Sequence, residues 1–319
     1  MWACAEGLWS LLAISCWLTG NCPALKPWNC LKWHHDWKWN DLGKPVRFMK
    51  HSYSSADKSR LLRDVIRSLL LHRVWFFIGM QDIKRRYRRS FIGPLWILLN
   101  LGMYVGAIGF VYGVMFGQDL KAFLPYLMLG FVTWGVISAS VVDAGSVFLS
   151  AEGYIKQFSY PKQIYILRSV VSTSMSFVMG LLAVAVLQVF MGTVQVSGWI
   201  LAIPGLVLLY IALLGHTAIF AYLGTAFRDL PHALAGVLQV VFYLTPIVVP
   251  ASVLENHGLQ LVYLLNPIYH LIEVVRDPIL TGGLAPLSSY SFVFGYILLV
   301  YCVAWYVAWR LDKKVVFLL

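Results

Sequence analysis

Few side chains in this sequence have a type and spacing suited to covalent chemistry. Asp143 and His216 are the ionisable residues set within long apolar runs, where such groups are costly and often functional. Neither has an acidic or basic neighbour in sequence, so no proton relay is expected. Asp143 stands near one end of its run, where it can face the membrane interface, and His216 can be a neutral, hydrogen-bonded ring. His34, His35 and Asp36 are adjacent, but adjacent histidines without a further cluster make a poor metal site. Of the five cysteines, Cys4, Cys16, Cys22 and Cys30 lie near the start and Cys302 in an apolar run. No pair has CxxC spacing, and unpaired thiols are expected. There is no GxxxxGK[ST] phosphate loop, no HExxH and no GxSxG, so neither ATP hydrolysis nor hydrolase chemistry is expected of the chain.

The remaining candidate residues bind rather than react. Leu62, Val65, Ile66, Leu69 and Leu70 recur at helical spacing among Arg60, Arg63, Arg67 and Arg73, and VWFFIGMQDIKRRYRRS follows. This pattern predicts an amphipathic helix in the membrane interface, with Arg73, Trp75, Lys84, Arg85, Arg86, Arg88 and Arg89 near anionic headgroups. A solvated basic arm would have no use for Trp75, Phe76 and Phe77. Further on, SAEGYIKQFSYPKQIYILR (Ser150 to Arg168) predicts a short surface helix, Glu152 to Phe158, stopped before Pro161. Its apolar edge of Tyr154, Ile155 and Phe158 suits either a groove on a partner or the lipid surface. Tyr104, Tyr112, Tyr126, Trp134, Phe242 and Tyr243 form either interface belts or faces on which sugar rings stack. Gly102, Gly106, Gly109, Gly113 and Gly117 fall on one helical face, which serves close helix packing or a smooth pore wall.

The elements that position these residues are membrane spans. Hydrophobic residues make up 60% of the 319-residue chain and charged residues 12%, against roughly 25% charged in a soluble domain. The mean hydropathy is +0.73. The net charge of +11 does not point to nucleic acid, because the basic residues gather before the first long apolar run and in alternate loops. Six spans are expected, at 92–116, 123–149, 170–192, 199–224, 233–251 and 290–310. The basic segment Arg47 to Arg89, the loop with Lys156, Lys162 and Arg168, then Arg228, Arg310, Lys313 and Lys314 lie on one side, against Lys121 and Arg276 on the other. Both termini are therefore expected to be cytoplasmic. No internal repeat of the kind common in secondary transporters is evident.

Two segments depart from this frame. Between the fifth and sixth spans, LQLVYLLNPIYHLIEVVRDPILTGG is apolar, yet Pro267 and Pro278 are expected to break it. A helix over 268–277 would be only about 15 Å long and cannot cross a layer of about 30 Å. Two short helices re-entering from the external side fit better than a plain external loop. At the other end, residues 1–48 look foreign: a short apolar run from Leu8 to Leu18 precedes a Trp- and His-rich stretch, Trp28 to Trp39. The run lacks a basic flank and makes a poor signal peptide. Met49 is followed by an ordinary polar start, so translation is expected to begin there. The expected organisation is an atypical extension, 1–48, an interfacial segment, 49–91, and a six-span domain, 92–319.

Four motifs fall in order on this frame: KRRYRRSFIGPLW (Lys84 to Trp96) entering the first span, IKQFSYPKQIYILR after the second, FRDLPHAL (Phe227 to Leu234) before the fifth and LNPIYHLIEVVRDPIL before the sixth. Over residues 59–319 the chain resembles the permease subunit of ABC-type polysaccharide exporters, a family that exports lipid-linked O-antigen, capsular polysaccharide or teichoic acid. The resemblance implies an all-α integral membrane fold in the bacterial cytoplasmic membrane, acting as a homodimer with two copies of a nucleotide-binding ATPase. It implies no cofactor on this chain, with ATP and Mg on the partner. Glu152, Tyr154, Ile155, Lys156, Gln157 and Phe158 would form the coupling helix that enters a groove on that ATPase, and the Ser59–Arg89 region would abut it. First and fifth spans would line the channel, with Tyr104, Ile108, Tyr112, Phe242 and Tyr243 as lining candidates. Asn266, Pro267, Tyr269, Arg276 and Asp277 would belong to an external gate. Arg228 and Asp229 match the loop before the fifth span and imply a structural role. A drug or lipo-oligosaccharide exporter of the same superfamily is the alternative. A membrane glycosyltransferase or acyltransferase would need clustered acids or histidines at a membrane face, and none is evident.

Overall fold

The computed structural model describes residues 58–319, apart from positions 89, 116, 118 and 159. The expectations for residues 1–48 and for a start at Met49 lie outside the described residues. Every regular element among the described residues is helical.

The interfacial segment folds as two helices rather than the single one expected. Helix α1, Lys58–Leu70, buries Leu61 and Ser68 and turns Leu62, Ile66, Leu69 and Leu70 outward. Helix α2, His72–Tyr87, follows after Leu71. The corner is held by Trp75, whose indole Nε1–H donates to the Ser68 carbonyl at 3.1 Å. Lys84, Arg85 and Arg86 fill the last turn of α2, where cations complement the negative end of the helix dipole. Gly79 and Ile83 are its buried face, and α2 packs along the start of the third long apolar helix.

Five helical runs are long and apolar enough to cross a membrane. They are α3, Leu95–Met115; α4, Leu120–Val142, prolonged through a 3-10 turn to Ser150; α6, Gln163–Met191; α7 with α8, Val196–Leu201 and Ile203–Ala226; and α13, Leu287–Leu311. Between the second and third lies α5, Glu152–Gln157. Helix α4 is the axis of the bundle. It packs on α3, α6, α8, on the shorter α9 (Leu230–Leu244) and on α12 (Pro267–Thr281), and Leu127, Leu129 and Ile137 along it are fully buried. Lipid tails are as apolar as these side chains, so close packing rather than exclusion of water holds such helices together.

Two expected boundaries moved for identifiable reasons. The apolar run expected over 233–251 is helical only from Leu230 to Leu244, about 22 Å at 1.5 Å per residue. Thr245 precedes Pro246 and is driven out of the helical region, with φ −97° and ψ 132°. The third run begins at Gln163 rather than 170, which places Arg168 inside a helix.

The broken segment is also corrected in part. Pro267 does start a new helix, with Asn266 as N-cap accepting from the Ile268 amide at 3.0 Å. After α9 come α10, Ala251–Asn256, and α11, Gln260–Leu264, and then α12. Pro278, expected to end α12, lies within it, and the helix runs on to Thr281 before Gly282 caps it at φ 73°. A proline deprives the carbonyl four residues back, here Val274, of its helical donor. That carbonyl instead abuts Gly205 of α8, where any Cβ would overlap it. The neighbouring helix thus packs closely against the carbonyl that Pro278 leaves without its helical donor. A short helix, α14 (Val315–Leu318), ends the chain.

Candidate functional site

At the end of the bundle that carries the basic loops, α5 projects between two of the long apolar runs. Lys156 Nζ and Glu152 Oε1 pair at 2.5 Å across one turn, with both side chains half exposed. The hydrogen bond from Lys156 holds the Glu152 carboxyl below its usual range. Tyr154 and Ile155 turn inward, against a cluster that contains Phe148, Tyr165, Tyr222 and Val315. Phe158, just past the helix in an extended conformation, is 49% exposed. Its ring lies 6.4 Å from Tyr154 and 6.1 Å from Tyr160. The edge read from the sequence as one surface therefore divides. Tyr154 and Ile155 anchor the helix, while Lys156, Gln157, Phe158 and Tyr160 are presented outward. Tyr160, 44% exposed, was not singled out in the sequence.

Beside this helix, Arg73, Lys84, Arg85, Arg86 and Arg88 of the interfacial segment are exposed and Trp75 is half-buried; Arg89 lies outside the described residues. Leu62, Ile66, Leu69, Leu70, Phe76 and Phe77 are exposed with them, the mixture that a membrane interface accepts. One acid of α2 is committed. Asp82 receives both Nε–H and Nη2–H of Arg168 from α6, the second at 2.8 Å. A cleft of about 320 Å³ opens here, lined by Asp82, Arg86, Asp143, Tyr165 and Arg168 among others. Nearby, Asp312 at the end of α13 accepts from Tyr222 at 2.9 Å and pairs with Lys162, so the last apolar helix is tied to the start of α6.

At the opposite end, the external-gate candidates converge on the elbow after α9. Arg276 is 4% exposed. Its Nη1–H donates to the Pro246 carbonyl at 3.1 Å, and its guanidinium carbon stands 4.0 Å from the centre of the Tyr126 ring. The Tyr126 hydroxyl donates to the same carbonyl at 3.0 Å. Asn266 Nδ2 donates to Thr245 Oγ1 at 2.7 Å. Tyr269 packs edge-on to Tyr263 at 4.8 Å, and Asp277 is half-buried. His270, not singled out in the sequence, donates from Nε2 to the Leu264 carbonyl at 2.9 Å, while its Nδ1 meets Ser289 Oγ at 3.1 Å. It joins α11, α12 and α13.

The lining candidates split by exposure. Tyr104 and Tyr243 are 64% and 78% exposed. Ile108, Tyr112 and Phe242 are partly buried against the main core, with Phe242 5.4 Å from Trp134 and 5.7 Å from Phe131. Helices α3 and α9 both lie on α4. The glycine stripe splits likewise. Gly109 and Gly113 receive the side chains of Leu124 and Leu120 from α4, whereas Gly102 and Gly106 face open space. His216 is buried, 2.7 Å from the Tyr296 hydroxyl and 3.5 Å from Ser140 Oγ, and links α4, α8 and α13.

Comparison with known proteins agrees with this architecture. The model of the ABC-2 type transporter membrane family matches residues 73–280. The O-antigen export system permease protein RfbA of Myxococcus xanthus is 28% identical over 218 residues, covering 67% of this chain and 81% of that protein. A protein of the same description from Klebsiella pneumoniae is 24% identical over 209 residues, covering 65% and 80%. The matched region takes in α2, the projecting α5, the elbow after α9 and α12 up to Leu280. The chain belongs to the ABC-2 type transporter family of membrane proteins.

Proposed function

We propose that this chain is the permease of an ATP-driven exporter that moves a lipid-linked polysaccharide, of O-antigen or capsule type, across the bacterial cytoplasmic membrane. Two copies form the channel and two copies of a separate ATPase drive it, with ATP and Mg bound on the ATPase. In this reading α9 together with the non-helical segment 245–250 makes the sixth crossing, both termini are cytoplasmic, and α11 with α12 re-enters from the external side as part of the gate.

The observation that carries the reading is α5. It is a six-residue helix between two spans, anchored inward by Tyr154 and Ile155 and presenting Lys156, Gln157, Phe158 and Tyr160 outward. Such a projection suits a groove on a partner, and the chain has no phosphate loop of its own. The relatives described as O-antigen export permeases supply the substrate class.

Deletion of the gene tests the function directly. The surface polysaccharide disappears and polymer still joined to its polyprenyl carrier accumulates on the cytoplasmic side. Unchanged surface glycan without such accumulation rejects the proposal.

A further inference from the structure

Arg168 joins α5, which the proposed function docks to the ATPase, to α2, for which that function names no role. It is nine-tenths buried at the start of α6. Its guanidinium makes a two-pronged pair with Asp82 of α2. The same guanidinium carbon lies 5.8 Å from the centre of the Tyr154 ring on α5, and Tyr154 stacks on the exposed Phe158. The Arg168 main chain is also engaged, because its carbonyl lies against Gly79 of α2, 3.1 Å from where a Cβ would stand. Its remaining nitrogen, Nη1, is buried and makes no hydrogen bond within the described residues, which leaves a donor for a second arrangement.

Stability alone is a weak reason for such a pair, since a buried ion pair often gives no more than an apolar packing of the same volume. A planar fork that pairs on one edge and lies near an aromatic ring is instead a geometric link, and lysine cannot reproduce it. The adjoining cleft of about 320 Å³ supplies room for movement. It separates Asp82 and Arg86 of α2 from Asp143 at the end of α4.

We propose that Arg168 is a positioning residue that transmits movement of α5 to α2. Displacement of Phe158 by the docked ATPase shifts Tyr154. The guanidinium follows, and through Asp82 it draws α2 along the cleft. The inference rests on the reading of α5 as the docking helix and goes beyond it by naming the connection.

The test uses the complete permease–ATPase complex and follows three quantities: ATPase co-purification, ATP hydrolysis, and polymer exported per ATP hydrolysed. The variants are Asp82→Arg, Arg168→Asp, the double exchange of the two, and Arg168→Lys. Each single variant keeps the ATPase bound and lowers export per ATP at least fivefold. The double exchange recovers at least half of the original ratio. Arg168→Lys, which keeps the charge and loses the fork, leaves the complex folded with the ATPase bound yet lowers the ratio, and decides the matter if the charge reversals fail to fold. An unchanged ratio in Arg168→Lys, or a folded double exchange no better than the singles, overturns the connection while leaving the exporter reading intact. If the unaltered chain binds no ATPase, the exporter reading itself fails and this inference falls with it.

Discussion

The division of labour along α5 is decided by single side chains. Tyr154 and Ile155 pack into the permease, whereas Phe158 and Tyr160 do not. Replacing Phe158 and Tyr160 with Ala should therefore weaken ATPase association about tenfold or more, as loss of exposed aromatic anchors does, and leave the melting temperature unchanged. Tyr154→Ala should instead lower the melting temperature. Pull-down and thermal unfolding in detergent separate the two, and equal behaviour of the variants would contradict the division. The sequence placed all three apolar residues on one edge because helical spacing ignores what lies behind the helix. Tyr222 and Val315, which help close that space, come from distant parts of the chain. Arg276 has a comparable role at the other end, holding the Pro246 elbow and the Tyr126 ring. Arg276→Ala removes the charged one of the two donors to the Pro246 carbonyl, leaving the Tyr126 hydroxyl, at a cost of about 1.5–3 kcal/mol. Thermal unfolding should show that loss, and Arg276→Lys should restore only part of it because the fork and ring contact are absent.

At the scale of the element, hydropathy made most of the helices legible and their faults less so. The five long runs were evident from length and composition. The early end of α9 was also within reach, because Thr245 precedes a proline. The passage of α12 through Pro278 was not, because the close approach of Gly205 to the Val274 carbonyl there involves a helix distant in sequence. The two helices of the interfacial segment were read as one because the Trp75 to Ser68 bond is a local exception to a continuous apolar pattern. Helix α3 carries a prediction of its own. Gly109→Leu forces a side chain into Leu124 and should cost about 1–3 kcal/mol through overpacking, read as a lower melting temperature. Gly106→Leu meets open space and should leave the melting temperature unchanged while reducing export of a bulky polymer if this face lines the channel. Unimpaired export in Gly106→Leu would remove that face from the lining.

For the whole molecule, the distribution of basic residues and the proposed six crossings predict a sidedness. Lys314→Cys should react with a membrane-impermeant thiol reagent only in inverted vesicles, and Lys121→Cys only in intact spheroplasts. The opposite pattern would reverse the topology and exchange the docking and gate ends. Membership of the ABC-2 type transporter family places the chain among transport proteins, and the sequence motifs had pointed there because they lie in the breaks between spans. What those motifs left out is how the breaks meet in space, as Asn266 and Arg276 do around the elbow at Thr245 and Pro246. The most direct measurement is transport in proteoliposomes holding the permease and its ATPase, loaded on the ATPase side with polyprenyl-linked polysaccharide. With ATP and Mg, the polymer should become accessible to a glycosidase on the opposite side, and it should stay protected with a non-hydrolysable analogue. Polymer that remains protected during active ATP hydrolysis, or crosses equally well without ATP, would contradict an ATP-driven polysaccharide exporter.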